Sequence, residues 1–170
     1  SNLVSFDPAK RKESLDTIVP DLAESWKWSD DGLNLTFKLR QGVTWHDGKP
    51  FTAKDVVCTI DMLTGKGEKG KELRKNPRAI WYHNVADVKA NGDHEAAFTV
   101  KNPQPALLGI LASGYSPIYP CHVPPAQMRT RPVGTGPFKF VEFKQNESIK
   151  LVRNPDYWKK GRPYLDGIEF

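Results

Sequence analysis

The sequence predicts an α+β chain, mainly antiparallel β-hairpins with a few helices, and three stretches carry that expectation. Residues 34–40 alternate strictly, with Leu35, Phe37 and Leu39 set against Asn34, Thr36, Lys38 and Arg40. A period of two belongs to a strand with one buried face and one wet face. Further along, Asn91-Gly92 separates two more strand-like runs, and Asn-Gly supplies the positive φ angles of a tight hairpin turn. Between these regions, Thr52-Ala53-Lys54-Asp55 places a hydroxyl three residues ahead of a carboxylate, the form of a capping box. Val56, Val57, Ile60 and Leu63 follow at helical spacing.

Taken in order, residues 3–7 are a short apolar run stopped by Pro8, which fits an edge strand or an extended arm. Residues 9–17 are charged and read as a loop. Residues 18–28 lead into the first hairpin, where Trp26 and Trp28 alternate with Lys27 and Ser29 and Asp30-Asp31-Gly32 makes the turn. Arg40-Gln41-Gly42 ends the second strand, and His46-Asp47-Gly48-Lys49-Pro50 forms another turn before the helix. The helix should run from Thr52 to about Leu63 and stop at Thr64-Gly65. Residues 65–77 are rich in Gly and Lys, lack apolar periodicity and read as a mobile insertion. Residues 85–90 are one strand of a second hairpin, and Ala96, Phe98 and Val100 mark the core side of its partner.

Pro103 and Pro105 break the pattern, and residues 106–111 form a short apolar helix. Residues 113–125 read as a loop, because Pro117, Pro120, Pro124 and Pro125 fix its backbone and remove ladder donors. Gly134 and Gly136 flank Thr135 and allow a sharp or close-approaching backbone. Phe138, Phe140 and Phe143 suggest a strand with a local irregularity, and Ile149 and Leu151 its partner.

At 170 residues the chain can hold one core, or about one and a half domains. Hydrophobic residues make up 38% and charged residues 26%, within the globular range. No apolar run approaches the roughly 18 residues of a membrane span, and no basic-plus-apolar leader opens the sequence. The net charge is +5, with cations mostly scattered between acids. Lys66, Lys69, Lys71, Arg74, Lys75 and Arg78 are the local exception; interrupted by Glu68 and Glu72, they read as a solvated face rather than a phosphate-binding patch. The two cysteines form no framework or metal motif. Cys58, beside Val57 and Ile60, reads as a buried free thiol by default, and a bridge to Cys121 is the alternative an oxidising compartment allows.

The ordered string Pro20-Asp21-Leu22-Ala23-Glu24-Ser25-Trp26, Ser29-Asp30-Asp31-Gly32, Phe37-Lys38-Leu39-Arg40-Gln41-Gly42-Val43 and His46-Asp47-Gly48-Lys49-Pro50-Phe51-Thr52-Ala53-Lys54-Asp55-Val56 resembles the signature of the family 5 solute-binding proteins of ABC importers. Val133-Gly134-Thr135-Gly136-Pro137-Phe138 and Arg153-Asn154-Pro155-Asp156-Tyr157-Trp158 extend the resemblance toward the end of the chain. It implies part of a two-lobed, periplasmic-binding-protein-like fold of the peptide-binding class. Residues 1–170 would be a fragment of the first lobe: a hairpin-helix subdomain at about 20–130, with adjoining strands at 131–170. It further implies capture of an oligopeptide, dipeptide or metal chelate for delivery to ABC permease subunits, in the periplasm or outside the cell. Membrane attachment would come only through an N-terminal lipid anchor that these residues do not include. With the second lobe missing, these residues alone should bind ligand weakly or not at all.

Arg78-Ala79-Ile80-Trp81 resembles the Arg-x-x-Trp of the nickel-chelate members, which implies that both side chains face the ligand. The forked donors of Arg suit carboxylates, and Trp offers a flat apolar wall. The plainer alternative is a surface Arg beside a core Trp. Tyr115, in the proline-fixed loop, is a second candidate for the wall. No catalytic site, metal site or cofactor is expected. His46-Asp47 is the nearest approach to a catalytic pair, but no nucleophile is placed beside it and it reads as a turn stabiliser. The four histidines, His46, His83, His94 and His122, lack metal-ligand spacing. Two rival functions are a basic module on Lys66 to Arg78 binding nucleic acid or an anionic surface, and a hydrolase using His46 and Asp47.

Overall fold

A computed structural model describes residues 1–67 and 77–170, which divide into two compact units, 1–41 with 52–119 and 42–51 with 120–170. In the first unit, strands β1 (Val4–Phe6) and β2 (Ile18–Pro20) form a small antiparallel pair. The main sheet holds β3 (Ala23–Trp28), β4 (Asn34–Leu39), β5 (Val85–Ala90) and β6 (Glu95–Val100) in the order β3-β4-β6-β5, antiparallel throughout. The alternation read from residues 34–40 sets its register. Leu35 lies opposite Phe98 and Phe37 opposite Ala96, and all four are buried. The Phe37 and Phe98 rings meet edge to face at 5.5 Å, a favoured aromatic geometry.

Helix α1 (Ala53–Thr64) lies against β5 and β6 through buried Ala53, Val56, Ile60 and Leu63. Its start is capped as expected: the Thr52 backbone N–H donates to Asp55 Oδ2 at 2.9 Å. Gly65, at φ 74°, ends it in the left-handed conformation that glycine adopts without cost. A 3-10 turn (Pro77–Tyr82) follows, and the short helix α2 (Leu107–Ala112) packs on β1 and β2.

In the second unit, a turn closes between Thr44 and Pro50. Its buried Trp45 and Phe51 meet edge to face at 6.0 Å. One helical turn, α3 (Pro125–Met128), begins at the last residue of the proline-rich stretch expected to be loop; a proline at its start needs no hydrogen-bond partner there. Strands β7 (Phe138–Lys144), β8 (Ser148–Arg153) and β9 (Gly167–Glu169) form an antiparallel sheet. The irregularity foreseen in the phenylalanine spacing is a register shift between Phe140 and Glu142. One face carries Lys139, Glu142, Lys150 and Glu169, tied by Lys150–Glu142 and Lys150–Glu169 ion pairs of 3.3 and 3.7 Å. The register sets Phe140, Leu151 and Ile168, then Phe143, Ile149 and Phe170, side by side on the other. Phe143 and Phe170 on that face are 61% and 72% exposed.

Neither cysteine is free: Cys58 and Cys121 are both disulfide-bonded, which corrects the expectation of a buried thiol. Cys58 is only half-buried on its helix, and pairing depends on distance in space, which the interval between two cysteines does not encode. The mobile insertion expected at 65–77 falls mostly on residues 68–76, outside the described residues.

Candidate functional site

The 3-10 turn presents Arg78 and Trp81 three residues apart, one full turn of such a helix. Both are exposed, while the next residue, Tyr82, is buried. The plain alternative of a core Trp is therefore corrected: the core ring of this segment belongs to Tyr82, and Trp81 remains 37% exposed. Tyr115 arrives from the loop after α2 and is 56% exposed.

The three candidates converge. The Arg78 guanidinium carbon lies 4.5 Å from the Tyr115 ring centre and 6.0 Å from that of Trp81. The two rings stand edge to face at 5.8 Å. A cation over aromatic faces is held by the ring quadrupoles. The cluster is thus a guanidinium set against two aromatic rings that also touch each other.

The buried group below this cluster was not foreseen. The Tyr82 hydroxyl lies 2.7 Å from Ser116 Oγ. Burial pushes its pKa up, against the opposing pull of the Ser116 bond, so it remains a protonated donor. The two residues are 34 positions apart, and no local pattern links them.

In the second unit, Asp47 accepts from the Lys49 N–H within its own turn, and both His46 and Asp47 also reach beyond it. The Gly134 N–H donates to His46 Nδ1 at 3.2 Å, and His46 Nε2 lies 3.0 Å from the Gly136 carbonyl. The first bond requires a bare Nδ1, so the hydrogen is on Nε2 and the ring is neutral. Burial holds its pKa below the usual histidine value, helped by the Lys139 charge and opposed by the Gly136 bond and Asp47. A Cβ on Gly134 would sit 3.3 Å from His46 Cε1, so this glycine serves close approach rather than a sharp turn.

Asp47 Oδ2 pairs with His122 Nε2. Burial raises the Asp47 carboxyl, but the bonds from His122 and the Lys49 N–H hold it below its ordinary value. With both His46 ring nitrogens on backbone groups, this side chain holds residues 134–136.

Of the basic run, Lys66 donates to the Ala86 carbonyl at 2.9 Å, and Lys69 to Lys75 lie outside the described residues. No metal-binding group of His, Cys, Asp and Glu exists among the described residues. No helix there is long and apolar enough to cross a membrane.

The sequence model described as bacterial extracellular solute-binding proteins, family 5 Middle, matches residues 17–170. The oligopeptide-binding protein AppA of Bacillus subtilis is 39% identical over 159 residues, covering 88% of this chain and 28% of that protein. Its solved structure, in complex with a nonapeptide, matches 99% of this chain and 33% of its own at a TM-score of 0.81 and 35% identity. The binding protein MoaA of A. tumefaciens, in complex with mannopinic acid, matches 99% of this chain and 33% of its own at a TM-score of 0.86 and 30% identity. NikZ of Campylobacter jejuni, in complex with Ni(L-His), matches 93% of this chain and 30% of its own at 0.76 and 27%. The chain thus spans about a third of the length of the relatives it matches.

Proposed function

The chain belongs to the bacterial extracellular solute-binding proteins of family 5, and from that membership we propose that it is part of the ligand-capturing receptor of an ABC importer. It binds a peptide-like or chelate solute without changing it and hands it to the permease subunits. The receptor works in the periplasm or on the outer side of the cell membrane. Capture in two-lobed receptors proceeds by hinge closure, and these residues supply one side of the closing site.

The observation that carries the reading at residue level is the convergence of Arg78, Trp81 and Tyr115. Peptides and amino-acid chelates carry carboxylates, which pair with a guanidinium through two parallel N–H···O bonds. Their apolar parts pack on flat rings. The solved relatives in complex with a nonapeptide and with Ni(L-His) carry ligands of this chemistry.

Titration calorimetry on the full-length receptor tests it, with nickel–L-histidine and a mixed nonapeptide pool as probes. Arg78→Ala is expected to weaken the probe that binds by about 10- to 100-fold, the range of a hydrogen bond to a charged group. Unchanged affinity in both Arg78→Ala and Trp81→Ala would remove these residues from the site.

A further inference from the structure

We propose that Tyr82 and Ser116 are positioning residues: a buried pair of hydroxyls that fixes the distance between Trp81 and Tyr115 and so holds the aromatic cluster around Arg78. The inference rests on reading that cluster as ligand-contacting, but the geometry behind it stands apart from any ligand. Trp81 immediately precedes Tyr82 on the 3-10 turn, and Tyr115 immediately precedes Ser116 in the loop after α2. Each exposed ring is therefore one peptide unit from a buried anchor, Tyr82 at 1% and Ser116 at 3% exposure.

The hydroxyl hydrogens assign the direction of the chain. Ser116 Oγ lies 2.6 Å from the Ile110 carbonyl, which can only accept. Ser116 has one hydroxyl hydrogen, so it donates to Ile110 and accepts from Tyr82. The relay runs from Tyr82 O–H to Ser116 O–H to the carbonyl of Ile110, near the end of α2. That carbonyl is one of the last in its helix, where partners come from the cap and beyond, and the Ser113 N–H reaches it at 3.3 Å. The Ser113 hydroxyl also reaches it, at 2.8 Å.

The far end of the loop is fastened separately. The Tyr119 N–H donates to Thr59 Oγ1 at 2.9 Å, and Thr59 Oγ1 donates in turn to the Asp55 carbonyl on α1 at 2.8 Å. Tyr115 thus lies close to Ser116 in a segment anchored to α2, to the 3-10 turn and to α1. The Tyr82–Ser116 bond joins the two segments at the residues next to the rings, whereas the bonds of Asn84 to Asn102 and Gln104 and of Tyr119 to Thr59 join them farther away.

The test compares Tyr82→Phe, Ser116→Ala, Ser116→Thr and Arg78→Ala in the full-length receptor. It uses the same two probes, melting temperature, and the NMR shifts of the Arg78 δ-methylene protons, which neighbour the guanidinium carbon that lies 4.5 Å from the Tyr115 ring centre. Tyr82→Phe keeps the ring and leaves Ser116 bonded to Ile110, so melting should change little. The Arg78 proton shifts should change, and affinity should fall by about threefold to tenfold, the range of one ordinary hydrogen bond. Ser116→Ala should do the same and also lower melting, because it strands the Tyr82 hydroxyl in the core. Ser116→Thr, which restores the hydroxyl, should recover the Arg78 shifts.

Wild-type Arg78 shifts and affinities in Tyr82→Phe would overturn the proposal. If Arg78→Ala weakens binding while Tyr82→Phe changes nothing, the positioning role fails and the ligand reading stands. If Tyr82→Phe moves the Arg78 shifts while Arg78→Ala leaves affinity intact, the positioning role stands and the ligand reading fails.

Discussion

The imidazole of His46 joins two backbone groups of one short segment, accepting from the Gly134 N–H and donating to the Gly136 carbonyl. A second proton would have to go on Nδ1, where it would face the Gly134 N–H. Burial is the largest influence on the ring and opposes the charged form, as do the charges of Lys139 and of the amino terminus, while the Gly136 bond and Asp47 favour it. The folded-state pKa is therefore depressed below 6.5, while the unfolded chain titrates near that value. Between the two, the unfolded state binds more protons, so stability falls as pH falls. The contribution is complete above about pH 6.5 and is lost on acidification toward the folded pKa. Urea midpoints should accordingly decrease from neutral pH to mild acid, and His46→Gln should flatten that slope. An unchanged slope in His46→Gln would assign the pH dependence to other groups. The depressed carboxylates Asp31 and Asp47 act lower, below the ordinary aspartate value of 3.8. Asp61, raised by burial, acts with the opposite sign.

The elements divide according to how local their signals are. The hairpins β3–β4 and β5–β6 could be read because alternation and an Asp-Gly or Asn-Gly turn lie within a few residues of one another. Helix α1 announced itself by its cap and its Gly65 stop. The three-residue strand β9 was missed, since Gly-Ile-Glu carries no period and gains strand geometry only by pairing with β8. Helix α3 was missed because its four residues sit among prolines that favour a loop reading. Arg78 and Trp81 could be singled out as candidates because a resemblance spans four residues. The Tyr82–Ser116 and Asp47–His122 bonds were not, because their partners are 34 and 75 positions apart. Strand β9 has a specific weak point: a Cβ on Gly167 would lie 2.7 Å from the Leu151 carbonyl oxygen. Because that neighbour is backbone, Gly167→Ala must displace β9. It should cost about 1–3 kcal/mol, with faster amide exchange at Ile168 and Glu169. Wild-type exchange in the variant would show that the ladder absorbs the methyl group.

On the scale of the whole molecule, the bonded state of both cysteines accords with a protein finished outside the reducing cytosol. The unreduced protein should resist iodoacetamide, and reduction should expose two alkylatable thiols. Reduction should also lower equilibrium stability by about 2–4 kcal/mol. Two modified residues before reduction would contradict the bonded assignment. The chain order of its hairpins, its principal helix and its family could all be read from local strings, whereas the pairing of cysteines depends on the complete three-dimensional path. The sheet β7–β8–β9 bears on practical work with these residues. Two of the residues on its apolar side, Phe143 and Phe170, are largely in water and Ile149 between them is partly so, and a greasy strip of that kind invites association. For anyone purifying these 170 residues by themselves, dilution becomes as important as buffer: crowded samples will stick to each other and to plastic, and a hydrophobic test compound will find the strip before it finds the arginine.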